Sequence, residues 1–354
     1  MKIRLMYLFL FLTDVVAGQD SAKVKNNSLI FTGYIDFYYQ YDFNKPTDKS
    51  RPPFLYNFKR TNGLDINLTL LKASYSRKRI RSNLGIMAGN YSQYNLAAEP
   101  NLLKNIYEAN VGFVFSKKVS VDAGIIPSHI GLETAIAKDH WNLSRSILAD
   151  NSPYYETGIK FNYIPNEKWL FSFLVLNGWQ NIQETNSNKA IGSQVQFKPN
   201  EKILINSSTF FGNEKPDSSK QLRLFHNFYT TYNITSKFSV AFLFDAGIEQ
   251  KRFSNGFNNW IGSAILMQFR FSKKWNAASR CEWYQDKNGV IVTGYLPNGF
   301  QATGYSINLD YKPVSFLVFR TEGRLFHSSD KIFVHDGQNT NNNFSLLISG
   351  AAFF

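Results

Sequence analysis

The sequence predicts an all-β chain, a closed antiparallel transmembrane β-barrel of about 16 strands with short periplasmic turns and long extracellular loops. Three observations carry this. Hydrophobicity alternates with a period of two from Leu29 onward, and short basic turns alternate with long polar loops. Beyond the first sixteen positions no apolar run approaches the roughly 20 residues that a spanning helix needs.

Taken in order, residues 1–18 read as a secretory signal that is removed. Lys2 and Arg4 charge its start, Leu5 to Leu12 form its apolar stretch, and Ala17 and Gly18 end it with small residues. Residues 19–28 follow as a periplasmic N-terminal segment and residues 29–354 as the barrel. Export to the outer membrane of a Gram-negative cell removes nucleic acid as a partner, so the net charge of +13 needs another reading. The lone Cys281 excludes a disulfide scaffold and a multi-cysteine metal site. No zinc or calcium motif appears, and no cofactor is expected.

The strands are visible as alternation. Phe238, Val240, Phe242, Phe244 and Ile248 share one parity, and Ser239, Asp245 and Glu249 the other. Tyr305, Ile307, Leu309 and Tyr311 alternate with Ser306, Asn308 and Asp310. In a barrel the apolar parity meets lipid and the polar parity the lumen. This resolves a chain with 32 Phe, 19 Tyr and 6 Trp but a mean hydropathy of −0.28. Rings near strand ends, such as Trp169, Trp179, Trp260, Trp275, Tyr38 and Tyr311, are expected in interfacial girdles.

Seven tight turns recur, at 76–79, 116–118, 165–168, 199–203, 235–237, 272–274 and 312–314, and eight longer loops rich in Asn, Gly, Asp and Ser separate them. Fifteen connections join sixteen strands. The chain ends on an amphipathic strand closed by Phe354, which is expected to serve as the signal for the barrel assembly machinery. The other expected partners are outer-membrane lipid, lipopolysaccharide and small hydrophilic solutes. A monomer and a homotrimer both stay open.

Charges inside strands belong on the lumen side, since Arg or Lys facing lipid costs about 2–4 kcal/mol near the midplane. That places Arg223, Arg270, Arg280, Glu282, Arg320, Glu322 and Arg324 on the pore wall. Sixteen strands enclose a bore too wide for side chains alone to fill. The third long loop, residues 128–153, is the most structured, with helix-like spacing of Leu132 and Ile136, then Leu143, Ile147 and Leu148. In sixteen-stranded diffusion porins the third loop folds inward. Glu133, Asp139, Arg145 and Asp150 are therefore expected to form a constriction opposed by Arg270, Arg280, Arg320 and Arg324.

Several strings also match a known family. Gly33-Tyr-Ile-Asp-Phe-Tyr-Tyr39, Pro53-Phe-Leu-Tyr-Asn57, Leu103-Lys-Asn-Ile-Tyr-Glu-Ala-Asn110, Ala123-Gly-Ile-Ile-Pro-Ser-His-Ile-Gly131 and Leu148-Ala-Asp-Asn-Ser-Pro-Tyr-Tyr-Glu-Thr-Gly158, in that order, resemble the OmpL-like β-barrel porin family common in Bacteroidetes. The resemblance covers nearly the whole mature chain. It implies an outer-membrane porin and supplies no binding residues.

The leading expectation is passive diffusion of small hydrophilic solutes and no enzyme activity. A solute-selective channel, with Tyr34, Tyr38, Tyr229 and Tyr284 stacking on sugars, is the alternative. A barrel hydrolase would need a nucleophile beside a base. Asp139-His140 and His335-Asp336 bring acids next to histidines without forming a hydrolase motif. An adhesin would use the long loops.

Overall fold

The computed structural model describes residues 28–295 and 298–354. The expected signal, residues 1–18, lies outside them, and Ser28 already belongs to the first strand.

Alternating β-branched, aromatic and small polar residues build sixteen long strands. In chain order they are β1 (Ser28–Asp42), β2 (Leu64–Arg77), β3 (Ile80–Ala88), β4 (Ile106–Val114), β5 (Val119–Pro127), β6 (Tyr155–Asn166), β7 (Trp169–Leu176) and β8 (Ala190–Asn200). Then come β9 (Ile203–Asn213), β10 (Leu222–Asn233), β11 (Phe238–Gln250), β12 (Phe257–Arg270), β13 (Trp275–Asp286), β14 (Phe300–Val314), β15 (Leu317–His327) and, after a small hairpin of β16 (Phe333–His335) and β17 (Gln338–Thr340), β18 (Asn342–Phe353). Each long strand pairs antiparallel with its sequence neighbours, and β18 closes the barrel on β1, with Tyr34 opposite Phe353 and Asp42 opposite Ser345. Closure removes the sheet edge, which hydrocarbon could not satisfy.

The strict period of two fixes which side chains face out. On β11 Ser239, Ala241, Leu243, Asp245 and Glu249 are buried inside, while Phe242 lies on the outer surface. On β14 Ile307 is 73% exposed and its neighbours Ser306 and Asn308 are 4% and 1%, so a shift of one residue would bury the wrong set. Cys281 is exposed on the outer face between buried Arg280 and Glu282.

All seven short connections lie at one rim and all eight long loops at the other, as the alternating loop lengths predict. The turn expected at 312–314 falls instead at 315–316, because β14 continues through Val314. A register shift between Tyr311 and Val314 accommodates Pro313, whose nitrogen cannot donate to the ladder.

Outer rings gather near the short-turn rim. Trp169 stacks on Phe197 with centroids 4.1 Å apart, and Trp275 on Tyr311 at 4.5 Å. Trp260, Trp179 and Tyr38 depart from the girdle expectation. Trp260 and Tyr38 are 2% and 0% exposed on the inner parity, and Trp179 packs edge-on to Phe210 and Phe225 inside. Gly247 opposite Trp260 makes room, since a Cβ there would lie 2.0 Å from the indole.

The long-loop half of the interior is packed. Phe54 and Leu55 of the first loop join Phe300, Phe326, Phe333 and the third-loop residues Ile147 and Leu148 in one apolar cluster. Lys59 organises that first loop by donating from Nζ to the carbonyls of Arg51, Pro52 and Leu55 at 3.0, 3.1 and 3.0 Å. Burial pushes the Lys59 ammonium down to about 8.

Candidate functional site

The third long loop, residues 128–154, joins β5 to β6 just beyond a pair of facing glycines. Gly124 adopts φ +125° directly opposite Gly158, a conformation that a side chain would oppose and that brings the Ala109 carbonyl within 2.2 Å of where a Cβ would sit. The loop's first residues are then pinned. His129 presents Nδ1 to Glu156 at 2.8 Å and Nε2 to the Thr209 carbonyl at 2.9 Å. Its own carbonyl accepts from Ser208 Oγ at 2.7 Å and Gln194 Nε2 at 3.1 Å. Gly131 donates to Asn227 Oδ1 at 3.1 Å.

Further along, the chain meets β13, β14 and β15. The Leu143 amide donates to Asn308 at 3.1 Å, the Ser144 amide to Glu322 at 2.5 Å and the Ile147 amide to Glu282 at 2.6 Å. Arg280 donates to the Ser144 carbonyl at 2.7 Å and lies 3.5 Å from Glu133. Arg324 donates to Ser144 Oγ at 2.9 Å and to Glu282. Arg320 uses Asp310 at 2.7 Å to hold its guanidinium and donates to the carbonyls of Ala137, His140 and Trp141. Four ionised wall residues thus bind loop backbone, where charge-assisted bonds are roughly twice as strong as neutral ones.

This explains why the helix-like spacing does not become a long helix. The second long loop carries the six-residue α1 (Asn90–Asn95), but between 134 and 150 only a 3₁₀ turn (Ala137–Asp139) and the four-residue α2 (Ile147–Asp150) form. The amides of 143, 144, 146 and 147 are taken by side chains of Asn308, Glu322, Glu133 and Glu282. Ser146 caps α2, accepting from the Ala149 amide at 3.1 Å.

The predicted residues are brought together unevenly. Glu133, Arg280, Glu282, Glu322 and Arg324 form one buried network. Arg145 and Asp150 pair with each other at 2.8 Å within the loop, with Arg145 over the Tyr154 ring. Asp139 pairs with its neighbour Lys138. Arg223 binds Glu249 at 2.6 Å on the wall beside Trp179. Arg270 lies apart, at the short-turn end of β12, with its bonds to Ser236 and Ser239. Phe354 exchanges backbone bonds with Gly33, and its ring covers that glycine on the outer surface. The tyrosines considered for sugar stacking are covered: Tyr34, Tyr38, Tyr229 and Tyr284 are 5% exposed or less.

Burial governs the loop's electrostatics. It pushes the Glu133 carboxyl up against the pull of Arg280, and it holds His140, near Arg145 and Arg320, well below the ordinary imidazole range. Asn308 and Asp310 lie on the lumen parity that the sequence shows, though nothing there ties them to the third loop; Ser144 and the His129–Glu156 contact, which spans 27 positions, carry no local signal. Among the described residues no group of three or more His, Cys, Asp or Glu side chains is placed to hold a metal ion.

Against known families, the model described as "Putative beta-barrel porin-2, OmpL-like" matches residues 28–354. The chain belongs to this porin family. No curated protein matches it. The porin is similar in structure to an anion-selective porin from Comamonas acidovorans, at 9% identity and TM-score 0.65, covering 93% of this chain and 100% of that one. OmpF of Salmonella typhi gives 9% and 0.62, covering 93% and 98%. OmpT of Vibrio cholerae in its trimer form gives 7% and 0.60, covering 93% and 100%. At these identities the likeness establishes the fold alone, a closed porin-type β-barrel.

Proposed function

We propose that this outer-membrane porin gives passive diffusion to small hydrophilic solutes through a lumen narrowed by its third loop. The observation that carries the reading is the bonding of residues 143–147 to Glu322 and Glu282 on the far wall. A loop rooted at β5 and β6 and tethered to β13 and β15 crosses the bore, leaving passage on the side of β2 to β8. There Lys72, Ser74, Asn83, Lys160 and Gln196 are only half-buried, and a polar, hydrated wall suits hydrophilic cargo. Glu133, Asp139, Arg145 and Asp150 act in this account by shaping the strap, and the wall arginines by holding it.

The reading is of a channel and not an enzyme. Ser128, His129 and Glu156 lie together, but His129 Nε2 faces a carbonyl oxygen and Ser128 bonds Glu156 directly. No hydroxyl is therefore activated by the imidazole, as a nucleophile requires. Removal of an N-terminal signal, recognition of Phe354 by the assembly machinery, and assembly as a homotrimer like that of the Vibrio OmpT belong to the same proposal. Liposome swelling with a graded series of sugars and amino acids tests it. Rates that fall with solute size alone support diffusion, and a lack of swelling for every solute rejects it.

A further inference from the structure

The cations on the lumen wall fall into two sets. Arg223, Arg280, Arg320 and Arg324 are 2–6% exposed, and each sits against a carboxylate. Their charge is used on wall and loop, and little of it reaches water.

The second set is half-exposed; besides Lys312 at the end of β14, it holds six cations: Lys72, Arg81, Lys138, Lys160, Lys198 and Arg270. Inward parity places the strand residues in the lumen. Lys160 shares its face with Glu156 and Asn162, Lys198 with Gln194 and Gln196, and Arg270 with Leu266 and Gln268, all of them buried or half-buried. Lys138 comes from the third loop.

Three of the six are closely neutralised, Lys72 by Glu108 at 2.6 Å, Arg81 by Asp122 at 2.5 Å and Lys138 by Asp139 at 2.6 Å. The other three differ. Lys160 has no carboxylate at ion-pair distance among the described residues; Asp122 and Glu156, whose fields reach it, already engage Arg81 and His129. Lys198 reaches Glu201 at 3.9 Å, and that turn glutamate is itself 76% exposed. Arg270 meets two neutral oxygens, of Ser236 and Ser239, both at 3.4 Å.

We infer that the bore selects small hydrophilic anions, with Lys160 and Lys198 on the passage side and Arg270 at the short-turn mouth, across the bore, as the residues that set the preference. The inference rests on the porin reading above and deepens it. Fixed charge of one sign on a low-dielectric wall focuses its field into the water of the bore and enriches the opposite ion there. The buried arginines contribute little because each carries its own counter-charge. Salt screens the rest, so selectivity weakens as the Debye length falls from about 10 Å at 0.1 M to about 3 Å at 1 M.

The test is the reversal potential of purified protein in planar bilayers across a KCl gradient, with barrel folding of every variant checked by heat-modifiable gel migration. The native protein is expected to pass chloride over potassium, with a ratio that falls toward one at high salt. The triple variant K160Q/K198Q/R270Q brings the low-salt ratio close to one, and K160E/K198E/R270E takes it below one. R252E, an exposed change in the loop after β11, leaves it unchanged. A conducting native channel with no preference, or with preference for potassium, overturns the inference and leaves the porin reading intact. A native ratio that survives both triple changes also overturns it. A folded protein that never conducts removes both.

Discussion

Glu282 on β13 accepts the Ile147 amide at 2.6 Å, so a wall carboxylate, 135 positions away in sequence, holds the first turn of α2 in the third loop. The same carboxylate binds Arg280 at 3.2 Å and Arg324. Loop and wall are therefore one network.

Glu282→Ala leaves Arg280, Arg324 and the Ile147 amide short of an acceptor in a buried setting. Breaking one member of such a pair costs about 3–5 kcal/mol. The expected result is a loosened third loop with the barrel retained. Limited proteolysis, with cleavage mapped between residues 134 and 147, checks it; protection equal to the native protein contradicts it.

Arg320 makes a similar demand on geometry. Its planar fork meets Asp310 and the carbonyls of Ala137, His140 and Trp141 at once. Arg320→Lys keeps the charge but loses the fork, so its channel noise is expected to approach that of Arg320→Ala and not that of the native protein. Single-channel recordings distinguish the cases.

Acid is expected to weaken the loop through His140. Its docked form resists protonation, whereas a released loop takes up a proton near the ordinary value of 6.5. Below that pH the released state binds more protons, so docking stability falls as pH falls. Glu133, raised in the docked state, acts with the opposite sign on further acidification. The difference between native protein and His140→Gln isolates the histidine. Proteolytic sensitivity of the loop between pH 7.5 and 5 should rise more steeply for the native chain, and parallel curves would refute the assignment.

The inner apolar cluster makes Trp260 the largest fully buried side chain. Trp260→Ala should cost roughly 3–5 kcal/mol, read as a lowered denaturant midpoint in detergent. Gly247→Val drives a side chain into the same indole and should cost about 1–3 kcal/mol.

Strand parity, the seven turns and the eight loops were legible because a half-buried sheet writes its geometry into alternate residues. Arg280, Glu282, Arg320, Glu322 and Arg324 could be placed inward for the same reason. What they bind could not. Contacts such as Ser144 with Glu322 join positions 178 apart, and no local pattern encodes which carboxylate meets which amide. Trp260 was misread because a ring at a strand end suits either the rim or a loop-packed interior. Lys160 could be placed inward by parity, but neither it nor Lys198 stood out beside the arginines, since only the completed pairing reveals which cations keep their charge in water.

Deletion of residues 133–145 removes the span of the third loop that narrows the proposed passage, and single-channel conductance reads the effect. The folded deletion protein is expected to conduct clearly more than the native one. Unchanged conductance in a folded deletion protein would contradict it.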